Sequence, residues 1–265
     1  GGMRLATDFD SNEFLFSFEN LKKRLDRQML LHRQVFKTST EFSLLKTISH
    51  EAFYILKYPL NQVTALKLTA VFRHDRTVFL STDTQNLNEK DIYSPWLGLK
   101  GEYIFDNTRF LGVNLYSGLR YKIFAEAYKN IISRKSDLIV VGADFRHYTR
   151  VHRTLIWANR FAASSSFGNT PLVYYLGSVD NWTNFSPRVE IFDRSVPIDY
   201  SRNYAYQTLA TNMRGFTQNI RNGNNFALLN SELRWPVVRY FANHPISSSF
   251  WNNFQVAAFF DIGTA

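Results

Sequence analysis

Long stretches of this chain alternate between apolar and polar side chains, and that period of two constrains the fold more than any other feature. In residues 97–105, Leu97, Leu99, Tyr103 and Phe105 share one parity, while Gly98, Lys100 and Glu102 share the other. Residues 119–127 repeat the pattern, with Leu119, Tyr121, Ile123, Ala125 and Ala127 set against Arg120, Lys122 and Glu126. In 139–146, Ile139, Val141, Ala143 and Phe145 oppose Gly142, Asp144 and Arg146; in 66–73, Leu66, Leu68, Ala70 and Phe72 oppose Lys67, Thr69 and Arg73. Successive side chains of a strand point to opposite faces, so each stretch builds one apolar and one polar face. Helical spacing, which groups residues three and four apart, explains none of them.

Turn signals fall between these stretches, at Asp106-Asn107, at 133–136 and at Phe167-Gly168-Asn169. Further strands are predicted near 2–9, 13–20, 27–37, 41–48, 153–167, 226–235 and 254–261, which brings the total to about eleven. Each approaches the ~10 residues with which a tilted strand crosses a bilayer. Residues 49–60 stand apart. Their phase is mixed and Pro59 suggests a turn, so a short helix or an irregular connection is expected there.

Composition bears on what the greasy face meets. Of 265 residues, 45% are hydrophobic and 20% charged, which is not the balance of a disordered chain. The absence of cysteine excludes a disulfide scaffold, a thiolate metal site and a cysteine nucleophile. Apolar runs are short, 138–141 being among the longest, against the ~20 residues of a helical span. The net charge of +9 and an aromatic content of 16% would suit a nucleic-acid surface if the cations clustered. They do not: Lys and Arg are spread singly among large apolar residues, and the densest run, Lys22-Lys23-Arg24, is short and lies at a predicted turn. No nucleic-acid partner is expected.

A soluble sandwich alternates too, but its strands are commonly ~5–6 residues long. Here the strands are longer and the polar face is rich in Lys, Arg, Asp and Glu. Aromatic residues fall near strand ends, at Tyr93, Trp96, Phe105, Phe110, Tyr148, Trp182, Trp235, Tyr240 and Trp251, as in the interfacial belts of membrane proteins. A sheet in hydrocarbon must close on itself, because an open edge leaves amides unpaired. The expected fold is all-β, a transmembrane antiparallel β-barrel, with a soluble basic β-protein as the rival reading.

Motifs for enzyme chemistry are missing: no Gly-rich phosphate loop, no G-x-S-x-G elbow and no H-E-x-x-H. His147 and His152 lie among Arg146, Arg150 and Arg153, cations that disfavour a metal, so a rim position is expected. Ser231 adjoins Glu232 but has the lipid-facing parity, which is wrong for a nucleophile. The chain is read as carrying no catalytic residue, metal or cofactor.

The carboxy-terminal third is more specific. It reads MRGF at 213–216, NGNNFALLNSELRWP at 222–236 and FQVAAFFDIG at 254–263. These three elements, in this order, resemble the bacterial surface-antigen family of outer-membrane barrels (the BamA-like superfamily). Residues 153–177 look like the strand that precedes the family's long loop. ADFRHY (143–148) and FENLKKR (18–24) look like a Bacteroidetes branch carrying a TolB-like or other periplasmic part. The resemblance implies a Gram-negative outer-membrane protein acting in assembly or translocation of proteins there. Its implied partners are outer-membrane lipids or lipopolysaccharide, client outer-membrane proteins, and periplasmic or lipoprotein partners. It also implies a sixteen-stranded barrel, of which residues 1–265 form a part, with about two strands before residue 1 and three after Ala265, and modules before residue 1. In the family the loop tip folds into the lumen, where its Arg pairs with two acids; here these are Arg214, Gly215 and Phe216 on the tip, and Glu232 and Asp261 on the strands.

Parity agrees with that assignment. Ala227, Leu229, Leu233 and Trp235 form one face of the first strand, leaving Glu232 on the other. Val256, Ala258 and Phe260 likewise leave Asp261 on the polar side. A guanidinium fork can serve both carboxylates at once. The chain departs from the family pattern in a long stretch between Gly177 and Met213. It holds Trp182, Pro187, Pro197 and the sequons at Asn181 and Asn184, and is read as a surface and lumen loop over about 178–222. A passive channel or porin, and a structural barrel that binds a surface partner in a larger outer-membrane complex, are the competing functions.

Overall fold

The computed structural model describes residues 2–4, 13–39, 44–80, 90–133, 136–178, 193, 195–197 and 207–265. In chain order the strands are β1 (Gly2–Arg4), β2 (Glu13–Asn20), β3 (Asp26–Ser39), β4 (Leu44–Pro59), β5 (Thr64–Leu80) and β6 (Ile92–Asp106). There follow β7 (Arg109–Gly112), β8 (Leu115–Asn130), β9 (Asp137–His152), β10 (Leu155–Phe167), β11 (Val173–Gly177), β12 (Gln207–Asn212) and β13 (Arg221–Gly223). The last elements are β14 (Asn225–Trp235), two short helices, α1 (Val237–Phe241) and α2 (Ser249–Asn253), and β15 (Val256–Thr264). No described helix is long and apolar enough to cross a membrane.

One sheet takes the strands in chain order from β1 to β10, with β7 as a side hairpin on β8, and then passes to β14 and β15. The chain between β10 and β14 leaves it and forms a small sheet, β12-β11-β13, in which β11 and β12 run parallel. By contact density the chain divides into two compact units.

The first unit comprises Gly1–Leu60, Ala65–Glu102 and Glu126–Ile139. Its exposed face carries Phe16, Phe18, Leu66, Leu68, Leu97 and Leu99. The opposite face is an ion-pair lattice. Arg73 reaches Glu51 at 3.5 Å and Asp75 at 2.8 Å, and Lys67 reaches Glu102 at 3.1 Å. Facing charges in adjacent strands attract across a register that puts Glu51 opposite Arg73.

Residues 49–60 are not a helix or a connection. They continue β4 without interruption to Pro59, paired with β5 to that point and with β3 as far as Lys57. The mixed phase arises because both faces are apolar there. Tyr54 is exposed, while Phe53 lies opposite the buried Val71. Pro59 ends the strand, where a missing N–H costs no ladder bond. Trp96 also departs from expectation: it is 7% exposed, on the inner face, and not in an interfacial belt. The predicted strand 2–9 is described only at Gly2–Arg4, residues 41–43 of the predicted strand 41–48 lie outside the described residues, and Trp182 and Pro187 do too.

The second unit comprises Asn61–Thr64, Tyr103–Ala125 and Val140–Ala265. Across β6, β8 and β9, the rings of Phe105, Tyr121 and Phe145 stack on the exposed face, at centroid spacings of 5.1 and 5.4 Å. The exposed face continues through Trp157 and Phe161 to Leu229 and Leu233. Trp157 donates its indole N–H to Ser231 at 2.9 Å, which places Ser231 on that outer face. On the inner face of β14, Leu228 is buried with Leu176 and Met213, while Phe226 packs alongside. The small sheet therefore covers the upper part of the inner face of β14, and apolar side chains are stable there.

Candidate functional site

The site is built on the inner face of β14 and β15. Their register sets Asn230 opposite Asp261, Glu232 opposite Phe259 and Leu228 opposite Gly263. Glu232 and Asp261 are thus diagonal neighbours on adjacent strands. Gly263 leaves the space that Leu228 needs, since a Cβ there would lie 2.5 Å from a Leu228 methyl and 3.6 Å from Leu176. The glycine of the FFDIG stretch therefore lets the small sheet close against β14 and β15.

The loop tip follows β12 and is pinned to the end of β11. Gly177 accepts a hydrogen bond from the Met213 N–H at 2.9 Å, and the Ser178 N–H donates to the Phe216 carbonyl at 3.1 Å. Gly215 turns the chain at φ +86°, a conformation that favours glycine. Further along, the Asn219 amide donates to the carbonyls of Asp193 at 2.8 Å and Val196 at 3.0 Å. Ser195 donates its hydroxyl at 2.6 Å and its N–H at 2.9 Å to Asp193, which holds that carboxyl below its ordinary pKa.

Arg214 is held in this frame by four hydrogen bonds. Its Nε and Nη2 donate to Asp261 at 3.0 and 2.9 Å, its backbone N–H donates to Asp261 at 2.9 Å, and its Nη1 donates to Glu232 at 2.9 Å. The guanidinium lies over the Phe259 ring, 4.0 Å from its centroid. The Asp261 side chain is 2% exposed, and Arg214 is 26% exposed. One fork thus joins two strands through their acids, with an aromatic floor beneath it. Of the five residues expected at the site, Arg214, Glu232 and Asp261 are brought together. Gly215 supplies the turn. Phe216 contributes its backbone carbonyl, and its ring is exposed.

Four further side chains belong to the same surface. Arg234 donates to Glu232 at 3.1 Å and to the Asn114 carbonyl at 2.7 Å. Asp144 on β9 accepts from Arg146 at 2.9 and 3.1 Å and from Arg160 on β10 at 3.2 and 2.7 Å. Arg146, Arg160, Arg214 and Arg234 line one cavity of about 230 Å³ with Tyr148 and Glu232. Tyr148 therefore faces inward, and not toward an interfacial belt as its place near a strand end suggested. Phe259 and Arg234 share the inward parity of Asp261 and Glu232, a signal already present in the alternation. The Asp144 group joins three side chains from two strands, and only the register of those strands reveals it. His152, expected at a rim, pairs its ring with the Tyr240 hydroxyl at 2.7 Å.

No family model and no curated protein matches the chain. Among solved structures, the chain is similar to the crystal structure of BamA from Haemophilus ducreyi lacking POTRA domains 1–3, with 14% sequence identity and a TM-score of 0.61. The similarity covers 96% of this chain and 49% of that one, so the chain spans about half the length of the structure it matches. The fold is all-β and antiparallel, of the outer-membrane β-barrel type seen in BamA.

Proposed function

We propose that this chain forms part of a barrel in the outer membrane of a Gram-negative cell, and that the barrel acts in the assembly or translocation of proteins there. The observation that carries this reading is the loop tip gripped by Asp261 and Glu232 from adjacent strands. A passive pore gains little from such a grip. A device that acts on client strands needs a wall whose register and lumen loop are held in one arrangement, and on this reading the paired charges select that arrangement, as buried polar groups do in some proteins. The partners that follow are outer-membrane lipid or lipopolysaccharide around the apolar face, client outer-membrane proteins, and periplasmic or lipoprotein partners. No catalytic group, metal or cofactor enters the mechanism. The exposed bands of Leu, Ile, Phe and Tyr on both units support a lipid surrounding, since contiguous apolar patches of this kind are rare on soluble monomers.

The test is Arg214→Ala in the full-length protein, with two readouts. Appearance of folded client barrels in the outer membrane should fall severalfold, and ion conductance in planar bilayers should rise as the loop is released. A passive channel predicts undiminished client assembly with conductance that is large both before and after the substitution. That outcome would remove the assembly reading.

A further inference from the structure

The connection between β14 and β15, residues 236–255, is far longer than its neighbour between β9 and β10, which is 153–154 alone. It contains both helices, and neither has a buried residue. From Tyr240 through Phe260 the sequence has no Lys, Arg, Asp or Glu. A water-facing turn has no reason to exclude charge over such a length. Nor does the connection hang loosely. Arg239 donates to the Leu111 carbonyl at 3.0 Å, Arg153 to the Tyr240 carbonyl at 3.2 Å, and Gln255 to the Val113 carbonyl at 2.6 Å. Both ends of the connection are therefore tied to the rest of this unit.

Those side chains are aromatic and exposed. Phe250 and Trp251 contact at 5.0 Å, and both lie within 6.0 Å of Phe254; Trp251 is 50% exposed. Ser249, Asn252 and Asn253 occupy the other positions of α2, so the short helix has one apolar and one polar side. The patch is continuous with the outer face of the sheet. Trp235 shares parity with Leu229 and Leu233 and touches Phe241 at 5.9 Å. Phe254 is extended and two residues before Val256, which lies opposite Trp235 and begins the exposed row of Val256 and Phe260. The apolar face of β14 and β15 thus runs past the strand ends into the connection, where the one cation, Arg239, is engaged by the Leu111 carbonyl.

We propose that residues 236–255 are an interfacial foot. In it, α2 lies in the boundary between headgroups and acyl chains of the leaflet at the turn end, with Phe250, Trp251 and Phe254 among phospholipid chains and Asn252 and Asn253 toward the headgroups. Continuity with the hydrocarbon-facing wall selects lipid over a protein partner. An indole with its N–H, next to Asn and Ser and flanked by two Phe rings, suits that depth. The inference rests on the membrane-barrel reading.

Residues 1–265 hold no cysteine, so once any cysteine elsewhere in the full-length protein is replaced by serine, a single introduced thiol can carry an environment-sensitive fluorophore. The full-length protein would be reconstituted in phosphatidylcholine vesicles containing nitroxide lipids labelled either near the headgroup or deep in the chain. A label at Trp251→Cys should lose severalfold more emission to the shallow nitroxide than to the deep one, and a label at Phe260→Cys should show the reverse. Phe250→Cys provides a second position if Trp251→Cys does not fold. Quenching at 260 with none at 251 or 250, whether those labels face water or a protein, overturns the foot and leaves the barrel standing. Deeper quenching at 251 than at 260 overturns the interfacial placement. Quenching at neither position overturns the membrane reading itself.

Discussion

At the scale of single residues, Arg214 differs from a lysine because its fork serves two acids in fixed directions. It gives Asp261 two parallel bonds and Glu232 a third. A lysine keeps the charge but offers a point donor. Arg214→Lys should therefore keep one acid and lose the other, at about 1.5–3 kcal/mol for the charged hydrogen bonds given up. Arg214→Ala should cost more, because it leaves Asp261 nearly buried without its cation; fully buried pairs broken this way cost about 3–5 kcal/mol, and the partial exposure of Arg214 lowers that figure. Denaturant titration of the folded barrel, followed by its altered mobility in unheated gel electrophoresis, would order the variants. Phe259 makes a smaller contribution. Phe259→Leu keeps an apolar floor and removes only the ring, so a loss of about 0.5–1 kcal/mol is expected for a cation–π contact at a partly exposed site. A loss exceeding that of Arg214→Lys would mean that the ring, and not the two acids, sets the position of the guanidinium.

At the scale of elements, inner-face glycines let aromatic rings lie flat against the wall. Tyr128 on β8 covers Gly98 on β6, and Phe124 covers Gly142 on β9. The two positions differ in what a methyl would meet. At Gly98 the nearest atoms all belong to the Tyr128 ring, a side chain that can yield by giving up its hydrogen bond to Glu126. At Gly142 it meets the Phe124 ring and also the Ala163 carbonyl at 2.9 Å, which belongs to the neighbouring strand. Gly142→Ala should thus cost about 1–3 kcal/mol, the usual penalty for overpacking, and Gly98→Ala distinctly less. Equal losses in denaturant midpoint would show that the rings, rather than the backbone, set the limit. These elements also show what alternation reveals. Strands with one charged and one apolar face, such as β6 and β8, were legible from the sequence. Residues 49–60 were not, because Phe53 and Ile55 are apolar on the inner face while Tyr54 and Leu56 are apolar on the outer. Trp96 and Tyr148 sit near strand ends like belt residues, yet their parity places them inside; parity was the better guide to side-chain direction.

At the scale of the whole chain, the site depends on an excursion of more than fifty residues that leaves the main sheet after Phe167 and returns at Asn225. The three charged residues were legible because parity put Glu232 and Asp261 on one face and the family resemblance supplied the loop tip. The device that delivers the tip was not, since β11, β12 and β13 are short and, among the described residues, pair with one another and not with the main sheet. Gly177, at the end of β11, joins the two levels. Its carbonyl holds the Met213 N–H. A Cβ on Gly177 would strike the Thr217 carbonyl and the Gln218 Cα, which are backbone atoms of the tip itself. Gly177→Ala must therefore shift the segment that carries Arg214, although it alters no charge and touches neither acid. It should reproduce the instability of Arg214→Ala, and the two substitutions together should cost little more than either alone. Distant, independent sites instead add to within about 0.5 kcal/mol. A double-mutant cycle on the folded barrel decides the matter: additive losses would mean that the tip is placed by its acids alone, with the small sheet as a bystander.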